Sequence, residues 1–251
     1  MKIISKDPLV RLKNRSNSSK NIIKRVLTGD VTQRCSRFYW FRQGYSLVQK
    51  TTQKFDKNIQ DEILKFSSKS SLFDGFSVEN GVKEIRRTGV AFGLQLAPEM
   101  TQTIYEYAVN NFCFEPGYID HFKINQIEKG WLKNERRVFR GLLWDLGNCQ
   151  AIEKITKDPV LLKIVSSYLG YYPTLITQHL TWSIASNLPA EEVQKNYPAT
   201  NFHYDIAGYN FMTCYFYITD VDVSSGPHVM IANSHLKKPL SMLLTSGRHS
   251  D

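Results

Sequence analysis

The spacing of apolar residues is helical in two segments of the first 170 residues. One segment runs from Pro98 to Ala108, with apolar residues three and four positions apart. The other begins at Asp158-Pro159, because aspartate accepts hydrogen bonds from the free N–H groups of a first turn and proline tolerates that turn. Gly170 suits the left-handed conformation that ends a helix. The sequence therefore predicts a helix in each segment.

After the second helix the spacing becomes strand-like. Residues 174–184 and 211–221 are rich in β-branched and aromatic side chains, and 90–93 resembles a short strand. The C-terminal third is therefore predicted to be β, and the whole chain to be mainly β with flanking helices. Residues 1–84 are predicted to be a basic extension, partly disordered or packed on the core, before a domain at 85–251.

Positive charge is concentrated at the N-terminus. Residues 1–60 contain 14 Lys and Arg against 3 Asp and Glu, whereas residues 61–251 contain 18 against 20. The charges are scattered among polar residues rather than clustered, which favours a solvated extension. The alternative is that residues 1–60 contact nucleic acid or an anionic membrane surface.

The composition indicates a globular protein, since 42% hydrophobic residues are enough for a packed core. No apolar run approaches the roughly 18–20 residues that a membrane-spanning helix needs. The cysteines are far apart and form no CxxC pair, which argues against a zinc site and a disulfide scaffold. We therefore expect a cytoplasmic protein with free thiols at Cys35, Cys113, Cys149 and Cys214.

The short segment around His203 and Asp205 contains the candidate metal ligands. Side chains two apart on a strand point to the same face, so a strand would direct the imidazole and the carboxylate inward together. One nitrogen and one carboxylate donor suit Fe(II), and a second histidine would complete the facial triad of non-haem iron enzymes. A hydrogen-bonded polar pair on a surface strand is the alternative for this spacing.

The residues after this pair add further motifs. The apolar segment 211–220 ends in Thr219-Asp220, and Gly226-Pro227 begins a stretch that closes in Asn233-Ser234-His235. With the upstream helix and Thr181-Trp182-Ser183, these motifs resemble the phytanoyl-CoA dioxygenase family of iron(II)- and 2-oxoglutarate-dependent oxygenases. The resemblance covers residues 85–251. It implies a double-stranded β-helix, iron(II) and 2-oxoglutarate as cofactors, molecular oxygen, and hydroxylation of a small-molecule or acyl-type substrate.

The resemblance also implies a co-substrate pocket. In the family, side chains on the strands before and after the His-X-Asp pair contact 2-oxoglutarate. Gln178, Thr181 and Tyr215 occupy comparable stretches here. Ordinary strand packing or hydrogen bonding is the alternative for these three residues. His179 is expected to line the barrel or the core, and His228 to start a strand.

Two departures from the family concern the end of the domain. Ala232-Asn233 replaces the family's Pro-Gly, although asparagine tolerates a left-handed turn. The family's distal histidine and its 2-oxoglutarate-binding arginine lie beyond the corner at His235, whereas this sequence ends at Asp251. We therefore expect an incomplete β-helix that lacks the third ligand. His235 as third ligand, and an inactive or truncated domain that binds a ligand or partner, remain alternatives.

Overall fold

The computed structural model describes residues 34–67, 69–185, 187–197, 200, 202–223 and 225–244. Two short 3-10 helices span Arg34–Arg37 and Ile124–Gln126. The α-helices are α1 Tyr39–Gln53, α2 Lys57–Ser67, α3 Val78–Thr88, α4 Pro98–Asn110, α5 Gln150–Thr156, α6 Pro159–Leu169, α7 Ala190–Asn196 and α8 Leu240–Leu244. The strands are β1 Cys113–Phe114, β2 His121–Phe122, β3 Arg140–Leu143 and β4 Leu180–Ser183.

The four strands form one small antiparallel sheet in the order β2-β1-β3-β4. Leu142 lies at its centre, opposite Phe114 on one side and Thr181 on the other. Gly141 is required by close packing, because a Cβ at this position would lie 2.7 Å from Cys113 Sγ. The sheet thus presents a tightly packed centre to the surrounding helices.

The hydrophobic core lies entirely in the middle of the chain. Every buried hydrophobic residue among those described falls between Phe73 and Leu169. One cluster joins the sheet to α4 and α5, and includes Ile104 and Leu143. A smaller cluster joins α3 to α6 through Val82, Ile85 and Ile164. Residues after 200 contact this core from outside rather than extend it.

Helix α6 begins as the sequence predicted. Asp158 is 2% exposed, and its carboxylate accepts the N–H groups of Val160 and Leu161 at 2.9 and 3.0 Å. The same carboxylate accepts the Ser71 hydroxyl at 3.0 Å and the Leu72 N–H at 2.6 Å. Gly170 ends the helix with a left-handed φ of 84°. The predicted α4 is also confirmed, from Pro98 to Asn110.

The predicted mainly-β architecture is wrong. The structure is about 42% helical and only 8% strand, with one four-stranded sheet, so it is not a double-stranded β-helix. Of the predicted strand at 174–184, only Leu180–Ser183 is formed. The described residues of 211–221 and of 90–93 form no strand.

The residues at 211–221 keep the alternation of a strand without its pairing. Phe216 and Ile218 pack against the core, whereas Tyr215 and Tyr217 are more than half exposed. The ring of Phe216 stacks on that of Phe73 at 5.8 Å. A strand also needs a partner that exchanges backbone hydrogen bonds. Within the described residues this segment has none, so the correct periodicity led to an incorrect prediction.

The N-terminal helices pack on the rest of the chain. Gln53 of α1 exchanges two hydrogen bonds with the backbone of Tyr172, at 3.0 and 2.7 Å. The expected division after residue 84 falls within α3. Residues 1–33 lie outside the described residues. They make up most of residues 1–60, the basic segment for which contact with nucleic acid or an anionic surface was the alternative. None of the described helices is long and apolar enough to cross a bilayer.

Candidate functional site

His203 and Asp205 come together in the structure. The distance from His203 Nε2 to Asp205 Oδ1 is 3.6 Å. The side chain of His203 is 23% exposed and that of Asp205 is 58% exposed. No described strand includes either residue, so the expected inward-facing strand is not found. The pair therefore lies at the surface of the fold, with the imidazole more enclosed than the carboxylate.

The separation of these two groups is close to what a shared ion requires. Two donors at about 2.1 Å from one first-row metal ion, with a right angle between them, are about 3.0 Å apart. A small side-chain rotation would close the difference from 3.6 Å. Among the described residues, however, no group of three or more His, Cys, Asp and Glu side chains is placed to hold a metal. His203 and Asp205 can supply two metal donors, and no third donor among the described residues is placed with them.

Tyr215, a predicted co-substrate residue, lies beside the pair. Burial raises the pKa of its phenol, and the negative charge of Asp205 raises that pKa further. The smaller influences on the same pKa include Tyr217 and Tyr197. Tyr215 and Asp205 therefore share one electrostatic environment. The role of Tyr215 in a co-substrate pocket stays a prediction.

His228, which was predicted only to start a strand, also belongs to this cluster. Its ring lies 4.1 Å from that of Tyr215, between centroids. Its backbone N–H donates to the Tyr217 hydroxyl at 2.8 Å, and its Nδ1 is 3.2 Å from the same oxygen. The alternation at 215–217 is the signal that places both tyrosines on one face. The sequence offered no signal for the return of His228 to that face.

Arg140 is linked to this cluster through Tyr197, which also acts on the pKa of Tyr215. Arg140, the first residue of β3, stands over the ring of Tyr197 at 4.7 Å. The buried carboxylate of Glu115 accepts the N–H groups of Phe139 and Arg140, at 2.7 and 3.2 Å, and so fixes the start of β3. Arg140 therefore rests on a rigid element.

His179 extends this group along β4. Burial lowers the pKa of His179, and the positive charge of Arg140 lowers it further. The imidazole stacks on Trp144 with a centroid distance of 5.7 Å. Neutral at physiological pH, His179 can accept as well as donate a hydrogen bond. Sequence reasoning missed Arg140, because nothing local marks a strand arginine as part of a site.

The other two predicted pocket residues are near β4 but differ in environment. Gln178 Oε1 is buried and has no hydrogen-bond partner. A buried acceptor without a donor costs roughly 1–3 kcal/mol, so such an atom suggests a ligand or a bound water. Thr181 is exposed and pairs with Leu142 across the sheet.

His235 lies apart from the pair, in the turn at residues 232–236. Its carbonyl accepts a hydrogen bond of 2.7 Å from Arg42, and its ring covers Gly89 at the end of α3. Burial lowers the pKa of this imidazole. Asn233 has the left-handed φ of 64° that was expected of it. The turn packs against α1 and the end of α3. The roles of corner residue and third ligand both stay predictions for His235.

Comparison with known proteins adds no relative. The chain matches no family model, no curated protein and no solved structure. The resemblance to the phytanoyl-CoA dioxygenases therefore rests on the sequence motifs alone.

Proposed function

We propose that this chain binds iron(II) through His203 and Asp205 and serves a 2-oxoglutarate-dependent dioxygenase reaction on a small-molecule or acyl-type substrate. The observation that supports the proposal most directly is the convergence of the two side chains, 3.6 Å apart, at the spacing of the family motif. The proposal depends on these residues and does not require the β-helix that the structure excludes.

His203 and Asp205 supply donor types that iron(II) binds, and they leave coordination positions of the metal open for other ligands. A neutral imidazole and a carboxylate are two members of the two-histidine, one-carboxylate face. Because the described residues assemble two donors, iron(II) alone would be held weakly, and 2-oxoglutarate would supply further oxygen ligands. Bound iron would supply the activation of oxygen, and the protein would bind, orient and enclose the reactants.

Arg140 and Tyr215 would hold the co-substrate. A guanidinium pairs with a carboxylate through two parallel hydrogen bonds, which suits the distal carboxylate of 2-oxoglutarate. Arg140 lies over Tyr197, and Tyr197 and Asp205 both act on the pKa of Tyr215. Tyr215, whose raised pKa keeps its phenol protonated, would donate a hydrogen bond to the same ligand. His179 beside Arg140 would accept one from the substrate.

The test is anaerobic metal binding. Mn(II), a spectroscopic substitute for Fe(II), would be titrated into the chain with and without 2-oxoglutarate and followed by electron paramagnetic resonance. We expect 2-oxoglutarate to tighten binding at least tenfold. Both His203→Ala and Asp205→Ala should abolish this tightening, and Arg140→Gln should reduce it while leaving binding of Mn(II) alone unchanged.

Matched controls use residues of the same type elsewhere. His121→Ala and Asp61→Ala remove an exposed imidazole and an exposed carboxylate outside the cluster, and should bind Mn(II) like the unchanged chain. Equal loss in the controls, or no effect of 2-oxoglutarate, would reject the iron site. The proposed location is the cytoplasm, which the free thiols of the described cysteines support.

A further inference from the structure

A second cleft lies on the helical side of the molecule, among residues outside the His203 cluster. It is an open groove with a volume of about 640 Å³, bordered by α1, α2 and α6 and by Tyr171 and Tyr172. Pockets of this size accommodate drug-sized ligands. Of its three walls, α6 belongs to the region that contains the core, whereas α1 and α2 lie outside it.

The rim of the cleft is strongly basic. Four lysines line the cleft, whereas Asp74 supplies the single carboxylate among its described lining residues. The lysines are Lys50 of α1, Lys54 just after α1, Lys69 between α2 and α3, and Lys163 of α6. None of the four forms an ion pair with a described residue. The ammonium of Lys69 lies 4.7 Å above the ring of Phe66. Two acids lie near this rim, since Lys69 contributes to lowering the pKa of Glu153 and Glu62 contributes to raising the pKa of Tyr172.

The positive potential continues past α6. Lys163 and Ser167 also line an adjoining cleft of about 570 Å³, whose other charged residues are Lys83, Arg86 and Glu79. With Lys163, this adjoining cleft has three cationic side chains and one acidic side chain, so the excess of positive charge extends along this face. Such a surface raises the local concentration of anions.

The walls beneath the lysines are apolar. Ile63 and Phe66 of α2 face Val160 and Leu162 of α6. The polar groups between them are already engaged, since the Gln53 amide bonds to Tyr172 and the Gln60 amide donates to the Gln53 carbonyl at 2.9 Å. The lining therefore combines apolar surface, a few hydroxyl groups such as those of Ser166 and Ser167, and positive charge.

We propose that this cleft binds a small anionic amphiphile, with an apolar chain between α2 and α6 and a carboxylate or phosphate head among the lysines. The charge complementarity of the rim selects the head, and the apolar walls select the chain. Lysine side chains suit this arrangement, because their methylene stems cover apolar surface while the ammonium groups remain in water. The site is independent of the proposed iron pair.

The experiment is calorimetric titration of the whole chain with dodecyl phosphate and with dodecanoate, each below its critical micelle concentration. Dodecanol and dodecyltrimethylammonium are the neutral and cationic comparisons. We expect both anions to bind at least tenfold more tightly than either comparison. The double variant Lys54→Gln/Lys163→Gln should weaken the anions about tenfold, as expected for two exposed charges.

The control variant Lys133→Gln/Lys195→Gln removes two exposed lysines that do not line the cleft, and should leave binding unchanged. His203→Ala should also bind the amphiphiles normally, so failure of the iron site would not be mistaken for failure of this one. Equal affinity for dodecanol, or equal losses in both double variants, would overturn the proposal. Retention by phosphatidylglycerol vesicles without binding of the free amphiphiles would overturn it in favour of a membrane surface.

Discussion

Residues 73–169 and residues 202–244 both contain large hydrophobic side chains, but the two regions differ in how far they bury them. The first region holds every buried hydrophobic residue of the described chain. In the second region large hydrophobic residues are exposed, among them Val229 at 69% and Ile231 at 58%. The first region has helices and three of the four strands of the sheet, whereas the described part of the second has one short helix, α8. Apolar content gives a core only where backbone pairing brings the apolar faces together.

This contrast can be tested with one substitution made in both regions. Ile104→Ala removes a side chain that is 1% exposed, and Ile231→Ala removes one that is 58% exposed. We expect the first variant to lower the free energy of unfolding by about 4 kcal/mol and the second by less than about 0.5 kcal/mol. Urea denaturation measures both. Similar losses in the two variants would show that residues 202–244 bury Ile231 in solution.

The buried cap of α6 should be the next most sensitive point. Asp158→Ala leaves the N–H groups of Val160, Leu161 and Leu72 without their acceptor. The expected loss of unfolding free energy is about 3 kcal/mol, from one cap and further buried hydrogen bonds. Asp61→Ala, an exposed carboxylate of α2, is the control and should change stability by less than about 0.5 kcal/mol.

A smaller effect is expected where the two regions meet. Gly89 has a φ of 97°, and a Cβ there would lie 2.7 Å from Nδ1 of His235. Gly89→Ala should therefore cost about 1–2 kcal/mol, from the left-handed backbone and from displacement of the imidazole. His235→Ala combined with Gly89→Ala separates the two causes. A double variant as stable as His235→Ala alone would show that the backbone tolerates alanine.

The smallest effect concerns pH. Burial lowers the pKa of His235 in the folded chain, so the unfolded chain takes up the proton more readily. Stability should therefore be unaffected above the ordinary histidine pKa of about 6.5 and fall as pH decreases below it. His179, also with a lowered pKa, should act in the same direction. Unfolding curves at several pH values should show a weaker decline in His235→Gln than in the unchanged chain.

The features that sequence predicted correctly are those with local causes. The Asp158 cap and the Gly170 stop lie within one helix. His203 and Asp205 also lie close together, although not on the inward-facing strand that was expected. The wrong strand at 211–221 and the missed Arg140 depend on residues far along the chain. Strand pairing and the placement of a cation next to Tyr197 are tertiary events, which no local pattern encodes.

The Asp158 carboxylate accepts hydrogen bonds both from residues near it in the sequence and from residues far from it. This difference in sequence separation affects the order in which the bonds form during folding. Its bonds to Val160 and Leu161 span two and three residues, whereas those to Ser71 and Leu72 span 87 and 86. Short loops close before long ones. The cap can therefore form early in folding, while the bond to Ser71 waits for the N-terminal helices to dock. Ser71→Ala should then accelerate unfolding and leave the folding rate nearly unchanged.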